Sequence, residues 1–322
     1  MRRIAVLTSG GDAPGMNAAV RAVVRAADAA GLETYRVRSG YEGLIDGDLA
    51  PLDARAVSGV LHLGGTIIGT ARSARFLTEQ GRAQAAATLR DAAVDGLVVI
   101  GGDGSFRGAD ALSAEHGVRV VGIPGTIDND LSGTDWTLGF DTAVNTALES
   151  IDRIRDTAMS HGRLFFVEVM GRRSGWLALY SALAGGATDV LIPERPTDIE
   201  AVRAKVRAAF AMGKGFCIVV VAEGDDAGNV YEVAARVADG LGLDHRVTAL
   251  GHVQRGGPPS MRDRLLGARL GDAAVTALRE GADRVMVGEM GGEVLRTPLA
   301  RTWTEARPAP AALLELLGRL AR

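Results

Sequence analysis

The chain has 322 residues, is 47% hydrophobic and 23% charged, and carries a formal net charge of −3. That balance describes a globular protein of about two domains, at roughly 150 residues each, and excludes a disordered chain or a basic surface built for nucleic acid. No apolar run approaches the roughly 20 residues of a membrane span, and Met1-Arg2-Arg3-Ile4 leads straight into a strand-like run, so a cytoplasmic, unprocessed protein without membrane or nucleic-acid partners is expected.

In chain order, β-branched runs alternate with Ala-rich helical stretches. Strand 4–8, helix 17–29, strand 33–37, strand 97–100, helix 106–115 and strand 118–123 come first. Helix 141–157, strand 164–169, helix 175–184, strand 190–192, helix 198–211, strand 217–222 and helix 230–238 follow, then a strand near 247–250, helix 261–278 and a last helix 311–320. This alternation predicts an α/β protein of two doubly wound, Rossmann-like domains with mainly parallel sheets and a ligand site in the cleft between them. Glycine pairs at 10–11, 64–65, 101–102, 185–186 and 256–257 are read as strand ends. Cys217 sits in an apolar run and is given no chemistry.

Lys205 and Lys214 are the only lysines. Neither lies in a P-loop or in a protein-kinase strand, so anion binding falls mainly on arginine. Three segments carry chemistry. Gly10-Gly11-Asp12-Ala13-Pro14-Gly15 brings backbone N–H groups and a helix start together, which suits a phosphate. Gly101-Gly102-Asp103-Gly104-Ser105 adds one carboxylate to such a cradle. Asp103 reads either as a magnesium ligand or as a cap of the following helix. Pro124-Gly125-Thr126-Ile127-Asp128-Asn129-Asp130 places two carboxylates two residues apart after an apolar strand. Mutual repulsion and a nearby arginine would tune such a pair for general-base work, the alternative being an Asx-rich turn.

Together these segments resemble the bacterial ATP-dependent phosphofructokinases. The resemblance runs from Leu7-Thr8-Ser9-Gly10-Gly11-Asp12 to Gly251-His252-Val253-Gln254-Arg255-Gly256-Gly257. It takes in Arg21-Ala22-Val23-Val24-Arg25, Gly69-Thr70-Ala71-Arg72, Ile151 to Asp156, Glu168-Val169-Met170-Gly171-Arg172 and Ala222-Glu223-Gly224. It implies that Gly11, Arg72, Gly102, Asp103, Gly104 and Ser105 hold ATP and its Mg2+, with Asp103 the metal ligand. It further implies that Thr126, Ile127, Asp128, Arg163, Met170, Gly171, Arg172, Glu223, Arg246, His252, Val253, Gln254 and Arg255 hold fructose 6-phosphate. Arg163 and Arg246 would reach in from a neighbouring subunit of a homotetramer. Asp128 would act as general base, helped by Thr126 and Arg172, while Asp130 would orient Arg172 or the metal shell.

The implied ATP domain is 1–138 plus 252–302. The implied sugar domain is 139–251 plus 303–322, with the tail from Trp303 packed onto it. Gly104 and Gly125 stand where pyrophosphate-using relatives carry Asp and Lys, which favours ATP as donor. An effector site between subunits, for ADP or phosphoenolpyruvate, would use Arg21, Arg25, Arg155 and Lys214. Ala54, Thr188, Met212 and Phe216 replace charged or titratable groups there, and Arg55 stands in for one cation, so inhibition by phosphoenolpyruvate with weak activation by ADP is expected. The rivals are an NAD or lipid kinase sharing Gly-Gly-Asp-Gly, a dehydrogenase, and a non-catalytic sugar-phosphate sensor.

Overall fold

The computed structural model describes residues 1–321. Its elements are β1 (Arg3–Thr8), α1 (Met16–Ala29), β2 (Glu33–Val37), α2 (Gly40–Asp46), β3 (Leu49–Pro51), α3 (Glu79–Asp91), β4 (Gly96–Gly101), α4 (Asp103–His116) and β5 (Val120–Pro124). Next come α5 (Phe140–His161), β6 (Leu164–Val169), α6 (Trp176–Ala184), β7 (Asp189–Leu191), α7 (Ile199–Ala211), β8 (Cys217–Ala222), α8 (Val230–Ala238) and β9 (His245–Ala249). The chain closes with α9 (Met261–Arg279), β10 (Val285–Met290), β11 (Glu293–Pro298), α10 (Arg301–Thr304) and α11 (Ala311–Leu320).

The chain divides into two compact units. One comprises Met1–Ile127, Leu131–Thr142 and Arg255–Ala306; the other comprises Asp128–Asp130, Ala143–Gln254 and Arg307–Arg322, the last of which lies outside the described residues.

The first unit holds a seven-stranded sheet in the order β11-β10-β5-β4-β1-β2-β3. Its five central strands run parallel, and only the edge pairs β2/β3 and β10/β11 are antiparallel. The central β4, Gly-Leu-Val-Val-Ile-Gly, is buried at every position, as a parallel strand covered on both faces must be. On α1 the residues Val20, Val23, Val24 and Ala27 are buried while Arg25 faces solvent, the spacing of an amphipathic helix. Helix α9 lies close against α1 because Gly267 and Gly271 carry no side chain: a Cβ there would come within 2.9 Å of Ala18 and 2.5 Å of Ala22.

The second unit holds a four-stranded, fully parallel sheet, β7-β8-β6-β9, whose core is built from Phe166, Val219, Val221 and the apolar faces of α7 and α8. Asp198 caps α7 by accepting from the Ala201 N–H, and Asn229 with Glu232 forms a capping box on α8.

The α/β class and both mainly parallel sheets agree with the sequence reading. Helix α4 begins at Asp103 rather than Phe106, so the glycine motif is itself the first turn. Helix α5 extends over Phe140–His161 rather than 141–157, β5 starts at Val120 rather than 118, and β9 spans His245–Ala249 rather than 247–250. Gly64-Gly65, Gly185-Gly186 and Gly256-Gly257 do not end strands: they follow a loop, α6 and a 3-10 turn (Gly251–Arg255) respectively. Trp303 packs against the core of the first unit, so the chain enters the second unit only at Arg307. The alternation pattern left α2, β3, α3, α10 and the β10/β11 hairpin unassigned. Gly291 and Gly292, at φ 59° and 87°, supply the two positive-φ residues of that tight hairpin turn.

Candidate active site

In the first unit the carboxyl ends of β1, β4 and β5 lie side by side, because these strands are parallel neighbours. Three chemistry-bearing loops therefore share one sheet edge. The Ser105 hydroxyl donates to the Ser9 carbonyl at 3.0 Å, and the Gly125 N–H donates to the Gly101 carbonyl at 2.9 Å. Thr70 donates to the Gly10 carbonyl at 2.9 Å, which brings the loop bearing Arg72 beside the first glycine turn, with the Arg72 side chain exposed.

Gly101 and Gly11 have defined reasons to be glycine. A Cβ on Gly101 would sit 2.7 Å from the Ser9 carbonyl oxygen, and one on Gly11 would sit 1.9 Å from Nη2 of Arg255. Arg255 lies across the glycine turn, donating to the Asp12 carbonyl at 3.1 Å and pairing with the Asp12 carboxylate at 3.0 Å. Sequence reasoning gave Asp12 no such partner.

At the head of α4, Gly102 is extended and offers no side-chain cap. The N–H groups of Asp103, Gly104 and Ser105 are the first three of the helix, which no preceding helical carbonyl can reach. Gly104 faces open space, with nothing within 4 Å of where a Cβ would stand. The Asp103 carboxylate accepts from Nε of Arg107 at 2.7 Å and is 43% exposed. Among the described residues no three His, Cys, Asp or Glu side chains cluster as a cation cage. One accessible carboxylate beside an anion-binding helix start fits a hard divalent cation that arrives with phosphates better than a resident ion.

In the second unit the loops after β6 and β8 meet the segment Asp128–Asp130. Asp128 is 7% exposed, and the Ser174 hydroxyl donates to its carbonyl at 2.8 Å. Nε of Arg172 lies 3.8 Å from Oδ2 of Asp128, and Nη1 of Arg307 donates to the Asn129 carbonyl at 2.7 Å. Ser174 and Arg307 carried no sequence signal. Glu223, at the end of β8, accepts the Arg172 N–H at 2.8 Å. Glu168 on β6 is pushed up from its ordinary value, first by burial and then by the neighbouring Glu223 charge. His252 and Val253 are exposed, whereas Gln254 is fully buried and accepts the Met170 N–H at 2.9 Å.

Arg163 and Arg246 are not brought to this end of the sheet. Arg163 precedes β6 and Arg246 is opposite Phe165, so both lie at the amino ends of their strands, paired with Asp244. At about 3.3 Å per residue, that is about 20 Å along the strand from the Met170 loop.

The residues named for an effector fall into two groups. In the second unit Arg155 donates to the Gly185 carbonyl and lies 5.8 Å from the Phe216 ring centroid, while Lys214 lies 3.3 Å from the Thr188 hydroxyl. Arg21 and Arg25 belong to the first unit, on one face of α1.

A strand-end glycine cradle for phosphates, and a buried Asp with an arginine beside it, define the sites of a phosphoryl-transfer enzyme of α/β fold. The phosphofructokinase family model matches residues 3–278. The ATP-dependent 6-phosphofructokinase 1 of Thermus thermophilus is 57% identical over 316 residues, covering 98% of each chain, and the enzyme of Cytophaga hutchinsonii is 48% identical over 321 residues. The T-state structure of Pichia pastoris phosphofructokinase superimposes with a TM-score of 0.89 at 40% identity over 94% of this chain, which spans about a third (35%) of that one. A pyrophosphate-dependent phosphofructokinase from Nitrosospira multiformis, at 23% identity and TM-score 0.88, shares the fold. The chain belongs to the phosphofructokinase family, which sets aside the NAD-kinase, lipid-kinase and dehydrogenase readings.

Proposed function

We infer that the chain is an ATP-dependent 6-phosphofructokinase of glycolysis, passing the γ-phosphoryl group of ATP to the 1-hydroxyl of fructose 6-phosphate. The observation that carries the mechanism is the pairing of the nearly buried Asp128 carboxylate with Arg172 at 3.8 Å. In-line phosphoryl transfer requires positioning and charge stabilisation rather than a covalent intermediate. Asp128 accepts the proton of the sugar hydroxyl as it attacks. Arg172 and Thr126 stabilise charge on the moving group, and Asp130 orients Arg172 or the metal shell. Gly11, Arg72, Gly102, Gly104 and Ser105 hold the nucleotide. Asp103 holds Mg2+, which supplies neutralising charge on the phosphates when bound.

Met170, Gly171, Glu223, His252 and Arg255 receive the sugar phosphate. Arg163 and Arg246, remote from the Met170 loop of their own chain, serve a neighbouring subunit's site, which makes the working enzyme an oligomer, read as a homotetramer. The anionic effector site lies between subunits of that oligomer, drawing on Arg21 and Arg25 and on Arg155 and Lys214. Phosphoenolpyruvate inhibits there and ADP activates weakly, because Thr188 lacks a carboxylate. Asp128→Asn tests the central role: both substrates still bind, while turnover falls by about 10²–10⁴, the range for a lost general base. Unchanged turnover removes Asp128 from that role.

A further inference from the structure

Gln254 is fully buried, and its Oε1 accepts the Met170 N–H at 2.9 Å. That bond fixes which way the amide faces. The other end, Nε2, is buried with no hydrogen-bond partner among the described residues. An unsatisfied buried donor offsets what the single bond contributes, so a glutamine here does little for stability. A methionine of similar length would fill the space without the orphan N–H.

The loop that Gln254 holds is under unusual constraint. Gly171 has φ 140° and Arg172, a non-glycine, has φ 52°. The Arg172 N–H is held by Glu223 at 2.8 Å, two residues after the amide held by Gln254. Beneath it, Gly224 admits the Arg172 carbonyl so closely that a Cβ would lie 1.7 Å from its oxygen. Two side chains therefore grip alternate amides, and the left-handed Arg172 carries its guanidinium toward Asp128. Such conformations persist where the surroundings over-determine them.

We propose that Gln254 is a positioning residue, which fixes the Met170–Arg172 loop through the Met170 amide so that Arg172 stays aimed at Asp128, and does not itself touch the sugar. This rests on the reading of Arg172 as the group that stabilises the transferring phosphoryl.

The test measures kcat and the KM for fructose 6-phosphate in Q254M, Q254N and Q254E, each with Arg172 intact and in the R172M background, alongside thermal melts. Loss of the acceptor in Q254M, or its withdrawal by one methylene in Q254N, lowers kcat about tenfold or more, since misplacing a catalytic group by about 1 Å costs of order 10². The KM changes by less than about threefold, because the group acts on charge developed in the transition state. Q254E, which keeps an acceptor facing Met170, recovers most of the rate. In the R172M background Q254M has almost no further effect. Melting temperatures stay close to the parent's, which a merely structural role would not produce; should Q254M fail to fold, Q254N and Q254E carry the comparison. Equal losses in both backgrounds, or a Q254E as damaged as Q254N, overturn the proposal. If R172M alone leaves kcat unchanged, the reading of Arg172 fails first, and the proposal with it.

Discussion

Gly224→Ala is the sharpest perturbation of the Arg172 geometry, because it alters no chemical group in the site. The added Cβ would lie 1.7 Å from the Arg172 carbonyl oxygen and 2.8 Å from its carbonyl carbon, where ordinary contact begins at 3.4 Å. Backbone on both sides makes the clash, so no side-chain rotation relieves it, and the Arg172 peptide must retreat by about 1.5 Å or more. It retreats against the hydrogen bond from its own N–H to Glu223 at 2.8 Å. The guanidinium leaves its position beside Asp128, and a shift on this scale lowers kcat by about 10²-fold. Overpacking lowers stability by about 1–3 kcal/mol, which leaves the enzyme folded at 25 °C. Steady-state kinetics with coupled detection of ADP, together with urea unfolding, measures both effects. A G224A enzyme with kcat within about threefold of the parent refutes the idea that the close approach of Arg172 and Gly224 sets the catalytic geometry.

Gly104→Ala meets nothing within 4 Å in the protein, so its melting temperature holds, while the proposed nucleotide cradle predicts a raised KM for ATP; an unchanged KM removes Gly104 from the cradle. Gly11→Ala displaces the Arg255 guanidinium, the flexible far end of a side chain, so it folds normally and weakens fructose 6-phosphate binding about as much as Arg255→Ala does. If only the ATP constant moves, Arg255 is misassigned. Asp263 is pushed up to about 6, first by burial, although it accepts from the Gly139 and Thr142 N–H groups at 2.9 Å. A raised carboxyl stabilises the fold below its ordinary value of 3.8, and that contribution is lost as pH rises through about 6. Unfolding free energy of the parent relative to Asp263→Asn therefore falls between about pH 4 and 6, by at most about 3 kcal/mol. A flat difference across that range in urea titrations contradicts the shift.

The parts of the site that lie within one loop were legible in the sequence, because the chemistry is carried by residue type and spacing. Gly101 to Ser105 and Pro124 to Asp130 stand at strand ends where their glycines and carboxylates have few alternative uses. Arg163 and Arg246 were placed by resemblance alone, since nothing in their local sequence says which end of a strand they occupy. The pairing register puts them at the amino ends beside Asp244. Gln254 was likewise placed among the sugar contacts by resemblance, but burial is decided by tertiary packing, and the 3-10 turn rotates it inward. Ser174 gave no signal, and Gly224 entered only within the Ala222-Glu223-Gly224 match, because their roles are close approaches to residues more than forty positions away. Helix α3 was missed because its first turn is polar and carries Gly81, which is glycine for the carbonyl of Arg75 that it packs against. The trace of Trp303 was lost for a related reason: its ring lies 5.1 Å from the Arg107 guanidinium on α4, a pairing with no local signature.

The proposed reaction is phosphoryl transfer from ATP to the 1-hydroxyl of fructose 6-phosphate, with Asp128 taking the proton. Its most direct test follows the reaction of the purified protein by phosphorus NMR with ATP, Mg2+ and fructose 6-phosphate, in parallel with Asp128→Asn and with pyrophosphate in place of ATP. ADP and fructose 1,6-bisphosphate should form in equal amounts, turnover should be slowed by about 10² or more in the variant, and the reaction with pyrophosphate should be slower. A sugar phosphorylated elsewhere, ADP released without sugar bisphosphate, or an Asp128→Asn enzyme that turns over like the parent would contradict it.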